Sequence, residues 1–474
     1  MKVQVGILQT GSTAYSEAWK TADTYPEKEY LRRLSRLMGH GDGNLFRGKV
    51  APGAKVVIKP NWVMDQHPLQ LDIFSVITHP AMLRAVADLA FEAMAGEGTI
   101  IIADAPQWDC NFDNLLRVTQ VQQISEYYWR KYRFEVPVRD LRQLACTPQD
   151  SYVMSSDRVS LPGDPEGYAA IDLGADSAFV GLPHVDRLYG ADYDRQETIK
   201  HHRAGRHEYL VSRTILGADV IIHVPKLKVH KKVGVTVNAK GMVGINGNKN
   251  WIAHFRIGSP SEGGDAYPDE GSPGAVAESR ISRFLIDHLL APQKPGREKI
   301  FTMLRGAYKR LKPIWEPIRG ERLNNVEGNW YGNDTAWRMT ADLARIVLFS
   351  DREGRIRNSR QRHFFSVVDG IIGGEKDGPL SPAPKPCGVI IAGENLLGVD
   401  IVATRLMGFD WRKIKFLQWL VDSSPQSLGI DNPGRDIEIL SNIPDWQDLL
   451  VDHQILGLTF EPHSGWRGHI ELSS

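Results

Sequence analysis

The strongest chemical signal in the sequence is a run of basic residues without acids. Between Asp219 and Glu262 there is no acidic residue, and the basic residues give this interval a charge of +7. These residues are Lys226, Lys228, Lys231, Lys232, Lys240, Lys249 and Arg256. Glycines at positions 234, 241, 244 and 247 would let backbone N–H groups approach a ligand closely. The combination predicts a site for a small anion; a solvated basic surface with glycines in turns is the alternative.

Histidines are concentrated around the same interval. Seven of the 15 histidines fall between residues 184 and 254. Because histidine exchanges protons near neutral pH, we expect His230 and His254 to give and take protons, while Lys226, Lys228 and Lys240 fix negative charge. Histidine also ligates metals, but the spacing matches no dedicated motif such as His-Glu-x-x-His. The residues alone therefore assign neither a metal nor a cofactor.

A strand–helix–strand unit is predicted to position part of this site. Residues 55–60 read as a buried strand, residues 80–95 as an amphipathic helix that begins with proline, and residues 99–104 as the next strand. Such a unit implies a parallel sheet, and ligands bind beyond the carboxyl ends of parallel strands. We therefore expect Lys59, Asn61 and Asp104 to contact the ligand. Residues 111–134 are predicted to form one long helix, and residues 218–225 another buried strand that leads into the basic interval.

A second α/β rhythm follows later in the chain. Residues 364–369, 388–393 and 436–440 are predicted strands, and residues 398–407 and 413–423 are predicted helices. The glycine-rich stretch 370–379 predicts a loop that completes the pocket through Asp369 and Lys376. Asp400 opens a helix and is either a pocket residue or a helix-start charge.

The predicted fold class is α/β, with two domains, mainly parallel sheets flanked by helices, and a ligand cleft between the domains. We place the boundary near residue 340. The N-terminal α/β domain would span residues 1–339 and contain a helical insertion near residues 276–335. The C-terminal α/β domain would span residues 340–474.

Composition excludes several classes of function. The 57 basic and 57 acidic residues cancel, so the chain lacks the global positive charge of a nucleic-acid-binding protein. Only three cysteines occur, at positions 110, 146 and 387, which is too few for an iron–sulfur cluster or a four-cysteine zinc site within this chain. Their wide spacing argues against a disulfide framework. The sequence contains no apolar run of about 18 residues, so no transmembrane segment is predicted. The polar N-terminus does not resemble a signal peptide, and a cytoplasmic protein is therefore expected.

A second basic segment has a different character. Residues 294–322 contain nine basic and three acidic residues, with Phe301, Tyr308 and Trp315 interleaved. A basic amphipathic helix of this kind can rest on an anionic membrane surface or on a partner protein. An ordinary exposed helix is the alternative interpretation.

Several sequence blocks resemble one known family. They are residues 58–62 (Ile-Lys-Pro-Asn-Trp), 78–80 (Thr-His-Pro), 224–230 (Val-Pro-Lys-Leu-Lys-Val-His), 236–244, and Val-Asp-Gly at 368–370 through Gly-Pro at 378–379. Together they resemble the domain of unknown function 362 family over roughly residues 50 to 410. Some members carry iron–sulfur cysteines, which this chain lacks. Long members are often associated with gene sets for bacterial surface polysaccharides.

The interval from His230 to Lys240 is also similar in layout to the nickel-pincer lactate racemase family. In that family a histidine is followed ten positions on by a cofactor-bearing lysine, with another histidine beyond it. The spacing from His230 to Lys240 is also ten, and His254 follows. The resemblance implies that Lys240 would carry or contact a cofactor, and that the two histidines would be metal ligands or acid–base groups. The surrounding residues contain fewer glycines than in that family.

Two hypotheses from different classes follow. The first is an enzyme that acts on a sugar acid, hydroxy acid or phosphorylated metabolite by isomerase- or racemase-like proton or hydride chemistry. In it the catalytic residues are His230, Lys240 and His254. The second is a non-catalytic binding or scaffold protein of a membrane-associated polysaccharide assembly, which docks through residues 294–322.

Overall fold

The computed structural model describes residues 2–146, 154, 157–190, 194–269, 277, 280–281, 283–319, 327–424, 428–451 and 456–472. Within these residues the strands are β1 (Val3–Gln9), β2 (Lys55–Pro60), β3 (Thr99–Asp104), β4 (Val138–Asp140), β5 (Leu144–Cys146), β6 (Arg158–Ser160), β7 (Tyr168–Asp172), β8 (Leu188–Tyr189), β9 (His202–Arg203), β10 (Arg206–Ser212), β11 (Val220–Val224), β12 (Lys226–His230), β13 (Gly234–Thr236), β14 (Phe255–Arg256), β15 (His363–Asp377), β16 (Ser381–Gly393) and β17 (Ile437–Ser441).

The α-helices of the described residues are α1 (Pro26–Leu37), α2 (Pro80–Ala93), α3 (Phe112–Thr119), α4 (Gln122–Tyr132), α5 (Arg195–His201), α6 (Arg213–Leu216), α7 (Asn238–Gly241), α8 (Pro295–Arg319), α9 (Ala336–Phe349), α10 (Leu396–Leu406), α11 (Lys415–Asp422) and α12 (Pro433–Asp436). A π-helix, Ile286–Leu290, precedes α8. The helical insertion predicted near residues 276–335 lies partly outside the described residues.

One ten-stranded sheet forms the centre of the molecule. Its order is β17-β1-β16-β15-β11-β2-β3-β4, with β12 paired to β13 and β15. β15, β11, β2, β3 and β4 pair in parallel, whereas β16 runs antiparallel to both of its neighbours. The predicted α/β fold with a mainly parallel sheet flanked by helices is therefore confirmed.

Strands from both sides of residue 340 share this sheet, because β1 pairs with β16 and β17, and β11 pairs with β15. Residue 340 itself lies within α9. The division into two domains with a cleft between them stays a prediction.

The central strands are buried on both faces. Val56 and Ile58 of β2 belong to one hydrophobic cluster, which includes α2 residues, and Val57 between them belongs to the other, which includes α9 and α10 residues. Alternating side chains of a strand point to opposite faces, so both faces carry a core. This explains why the central strands read as continuous apolar runs.

Two local predictions are wrong for identifiable reasons. The predicted helix over residues 111–134 is two helices, α3 and α4, because Gln120 between them adopts a left-handed conformation with φ of 55°. The predicted loop at residues 370–379 is mostly strand, since β15 continues to Asp377 and returns through β16. Its glycines allow neighbouring chain segments to approach the strand closely, since a Cβ on Gly374 would lie 2.6 Å from the Ser75 carbonyl oxygen.

Candidate functional site

A cavity of about 320 Å³ opens at the carboxyl ends of β2 and β3. Asn61 and Trp62 follow β2 directly, and Asp104 to Trp108 close β3 and continue from it. β12, α7 and the segment around His254 supply the basic wall. A cavity of this volume matches a small metabolite. The acidic, basic and histidine residues of the lining are Asp104, Lys228, His230, Lys231, Lys232, Lys240, Lys249, His254, Arg283 and Glu327.

Lys240 is the central cation of this wall. Its side chain is 9% exposed, and its Nζ has neither a hydrogen bond nor an ion pair with any residue that the structure describes. Burial, together with the positive charge of Lys59, lowers the pKa of Lys240 to about 8. A buried ammonium that lacks an anionic partner is unfavourable by itself and becomes favourable when an anion binds beside it.

The backbone that carries Lys240 is held by a carboxylate from another helix. Asp400, on α10, accepts hydrogen bonds from the backbone nitrogens of Asn238 at 2.7 Å and Ala239 at 2.8 Å. These are the first N–H groups of α7, which lack partners within that helix. Asp400 is therefore neither a pocket residue nor a charge at the start of its own helix; it caps α7. Burial raises the pKa of this carboxyl to about 7.

His230 and His254 both line the cavity and are both neutral near pH 7. Burial, followed by the charge of Lys240, lowers the pKa of each ring well below its usual value. Their Nδ1 atoms are bound differently. His230 Nδ1 accepts the backbone N–H of Lys232 at 3.0 Å, whereas His254 Nδ1 faces the carbonyl oxygen of Ile252 at 3.0 Å and must donate.

These partners fix opposite tautomers for the two neutral rings. The proton of His230 is on Nε2, and the lone pair of His254 is on Nε2. Within the described residues neither Nε2 has a hydrogen-bond partner. The cavity wall therefore carries one imidazole that donates a proton and one that accepts a proton.

Lys59 and Asp104 form a buried ion pair at the floor of the cavity. Lys59 Nζ lies 2.8 Å from Asp104 Oδ1, and the two side chains are 0% and 1% exposed. Asp104 Oδ2 also accepts the backbone N–H of Trp62 at 2.7 Å. Both residues were predicted to contact the ligand; Asp104 lines the cavity, while Lys59 pairs with it from behind.

Two predicted glycines bring the basic segment onto this floor. Gly244 lies against the ion pair, where an added Cβ would collide with Asp104 Oδ1 and sit 2.6 Å from Lys59 Nζ. Gly241 lies in the same way against the His223 ring. Both glycines line the cavity. Their small size is thus required by side chains beneath them, while the approach of backbone N–H groups to a ligand stays a prediction.

Lys228 and Lys249 line the cavity but are engaged with carbonyl oxygens. Lys228 Nζ donates to Val76 at 2.6 Å and to Pro379 at 3.0 Å. Lys249 Nζ donates to Ala105 at 2.8 Å, and burial lowers its pKa to about 7. Burial, followed by the charge of Lys240, lowers the pKa of Lys228 well below its usual value too. Both amines therefore act here as hydrogen-bond donors that connect neighbouring loops.

Three other predicted ligand-binding residues lie elsewhere. Lys226 and Asp369 form a buried ion pair at 2.9 Å, both 0% exposed, and Asp369 also accepts the Tyr15 hydroxyl at 2.6 Å. The charges of Lys226 and Asp369 are therefore directed at each other. Lys376 lies near the end of β15, half exposed, 3.3 Å from Glu461. From the predicted loop, Pro379 is the residue that reaches the cavity, together with Leu380.

Several lining residues were not predicted from the sequence. Trp62, Trp108, Tyr189 and Phe255 give the cavity aromatic walls. Asn61, which was predicted to contact the ligand, lines it with Trp62 and Thr236, and Asn61 Oδ1, Trp62 Nε1 and Thr236 Oγ1 have no hydrogen-bond partner among the described residues. Trp62 follows the same strand end as Asn61, a position that the sequence places near the ligand. Trp108 follows the next strand end, which is the sequence signal that could have found it. Tyr189 and Arg283 come from segments that carry no such signal.

The cavity does not provide a recognisable metal centre. No cluster of three or more His, Cys, Asp or Glu side chains suited to a metal ion occurs in the part of the chain that the structure describes. Besides the imidazoles of His230 and His254, the cavity is lined by the carboxylates of Asp104 and Glu327, which pair with Lys59 and Arg283. These side chains do not fit the nickel group that the racemase resemblance implied. Among the described residues, none of the helices is long and apolar enough to cross a bilayer.

Most of the chain is similar to a known protein family. Residues 56–405 match the family model described as domain of unknown function (DUF362). No curated protein matches the chain. A crystal structure of a protein from Thermotoga maritima is similar over 76% of this chain and 53% of that chain, with 11% sequence identity and a TM-score of 0.26. The chain thus spans about half the length of that protein.

Proposed function

We propose that this chain, which belongs to the domain of unknown function 362 family, is an enzyme. It binds a small carboxylate or phosphate metabolite and catalyses a proton transfer on that metabolite. The observation that carries the proposal is Lys240. It is a buried amine without an anionic partner among the described residues, and it lies in a cavity beside two neutral histidines of opposite tautomer. This arrangement combines charge stabilisation with an acid and a base.

Each residue has a distinct role in the proposed reaction. The ammonium of Lys240 holds the negative charge of the substrate. Nε2 of His254 accepts the proton when the C–H bond next to the carboxylate breaks, and the electron pair delocalises into that carboxylate. Nε2–H of His230 then donates a proton to carbon. Solvent returns a proton to Nε2 of His230 and removes the one that His254 has gained, so both rings regain their starting tautomers. The net change is an isomerisation at that carbon, such as a racemisation or epimerisation of a hydroxy acid or sugar acid, and it consumes no co-reactant.

Lys228 and Lys249 support this chemistry without contacting the reacting atoms. Their amines lie at the cavity wall, where they donate hydrogen bonds to carbonyl oxygens, and the aromatic side chains make part of the wall apolar. In such surroundings an ammonium–carboxylate contact is stronger than in water. Lys59 and Asp104 keep the floor rigid.

The proposal is tested by binding and by solvent exchange. The protein is incubated in D2O with D- or L-lactate or with glucuronate, and deuterium at the carbon next to the carboxylate is followed by NMR. We expect exchange with at least one of these acids. Lys240→Ala should lose binding, whereas His254→Gln and His230→Gln should keep binding and lose exchange by about 100-fold or more.

Lys376→Ala is the matched control, because this lysine lies at the surface beside Glu461. It should leave both binding and exchange unchanged. Unchanged binding in Lys240→Ala would refute the role of that lysine. Binding that depends on Lys240 without exchange of any tested acid would favour the non-catalytic alternative.

A further inference from the structure

An apolar stripe lies on the outer face of α8. Ile300, Met303 and Leu304 are 47%, 69% and 40% exposed, and Ala307 is exposed as well. Residues spaced by three and four positions lie on one side of a helix, so these four side chains form a continuous row. An exposed apolar row of this kind marks a surface that contacts something less polar than water.

The opposite face of the same helix is already packed. Phe301 is 4% exposed and forms a small hydrophobic cluster with Ile286 and Leu290 of the preceding π-helix. This cluster is separate from the two clusters that flank the sheet. The inner face of α8 therefore packs against the π-helix, and the outer apolar row takes no part in that contact.

The helical segment before α8 extends the apolar surface. Ile281 and Phe284 are 62% and 61% exposed, and Phe284 stacks on His288 with ring centroids 4.2 Å apart. Arg283, next to Phe284, lines the cavity. The apolar surface thus adjoins the segment that contributes to the cavity wall.

Basic residues flank the apolar row on α8. Arg297, Lys299 and Arg310 are exposed, and with about 100° per residue they fall on both sides of the row. Residues 294–310 contain six basic residues and a single acid, Glu298, which is buried. The exposed surface of this stretch therefore combines an apolar centre with positive edges.

We propose that this helical face docks on an anionic lipid surface. Apolar side chains would enter the headgroup region, and the flanking lysine and arginines would contact lipid phosphates. A second copy of the chain fits less well, because pairing two such faces would bring like charges together. The proposal goes beyond the cavity chemistry and does not depend on it.

Vesicle flotation tests the docking. The protein is mixed with phosphatidylcholine vesicles, with or without phosphatidylglycerol, and the floated fraction is measured at low and high salt. We expect several-fold more binding to the vesicles that contain phosphatidylglycerol, and we expect salt to reduce it. Combined Ile300→Ser, Met303→Ser and Leu304→Ser changes should abolish flotation. Combined Arg297→Glu, Lys299→Glu and Arg310→Glu changes should remove the preference for the anionic lipid.

The matched control is Leu69→Ser with Leu71→Ser, which changes two leucines that are 64% and 46% exposed outside this helix. It should float like the parent protein. A second readout uses Met303→Cys labelled with an environment-sensitive dye, whose emission should shift to the blue on the anionic vesicles; Leu69→Cys should not shift.

Three outcomes would overturn the docking. They are no flotation of the parent protein, equal flotation on both vesicle types, and a parent dimer, seen without lipid, that the serine variant abolishes. Deuterium exchange at the cavity is measured on the same variants. Because none of these substitutions touches the cavity, a failure of docking is distinguishable from a failure of the proposed function.

Discussion

The carboxylate of Asp400 lies 2.7 Å from the backbone nitrogen of Asn238, two residues before Lys240. Asp400 belongs to α10, so this helix fixes the position of the Lys240 amine, which we propose binds the ligand. Ser366, on β15, adds a second restraint by donating to the Asn238 side chain at 2.7 Å.

Replacing Asp400 should therefore affect both stability and binding. Asp400→Ala leaves two buried backbone N–H groups without partners, which costs about 1–3 kcal/mol for each group. We expect a lower melting temperature and weaker ligand binding through Lys240. Asp400→Asn keeps one acceptor oxygen and should lose less in both measurements. A large loss of stability in Asp400→Ala with unaltered binding would show that α7 does not position Lys240.

The affinity for a carboxylate should depend on pH through Lys240. Its pKa is lowered to about 8, so the amine is charged below this pH and neutral above it. Binding of lactate, whose charge is constant in this range, should weaken as the pH rises through about 8. Lys240→Arg keeps its charge and should remove this alkaline decline. Isothermal titration over the pH range checks both expectations, and a parent protein with no alkaline decline would contradict the assignment.

Gly244 should tolerate no side chain. A methyl group there would collide with Asp104 Oδ1 and press on Lys59 Nζ. We expect Gly244→Ala to destabilise the protein by about 1–3 kcal/mol, as overpacking does, and to impair binding because the cavity floor shifts. Gly41→Ala is the control, since an added Cβ there meets no atom within 4 Å. Chemical denaturation should separate the two variants clearly.

The Lys226–Asp369 pair offers a direct test of a prediction from the sequence. Removal of one partner from a buried ion pair costs about 3–5 kcal/mol, so Lys226→Met should be strongly destabilised. Lys226→Met with Asp369→Asn should recover part of this loss. If the double variant binds carboxylates normally, Lys226 is structural; weakened binding would restore its predicted role as a ligand residue.

The sequence predicted the fold better than the site. Apolar runs such as residues 56–58 and 100–103 became central strands, because a strand with a core on both faces needs apolar side chains on both faces. The pairing of Lys226 with Asp369 was not predictable in the same way. The charge of each residue can be read from the sequence, but its partner depends on which strands become neighbours in the sheet.

The site was predictable where its residues are close in sequence. His230 and Lys240 lie ten positions apart, and both line the cavity with His254. Tyr189 and Arg283 reach the same cavity from distant segments, and no sequence pattern around them indicates that they belong to it. The sequence indicates Asp400 as a candidate residue, but the helix that it caps begins 162 positions earlier. Its capping role could therefore be found only from the structure.

The position of β1 between β16 and β17 has a consequence for how the protein folds. The side chain of Gln4 donates to Glu438, 434 positions away, and Val3 pairs with Ile437. During synthesis β1 has neither of these neighbours to pair with until β16 and β17 have been made. Contacts of such long range slow folding, because the entropy of a long loop is lost before the contacts form. We therefore expect slow refolding from denaturant, with an intermediate in which β2, β3 and their helices are protected from hydrogen exchange before β1.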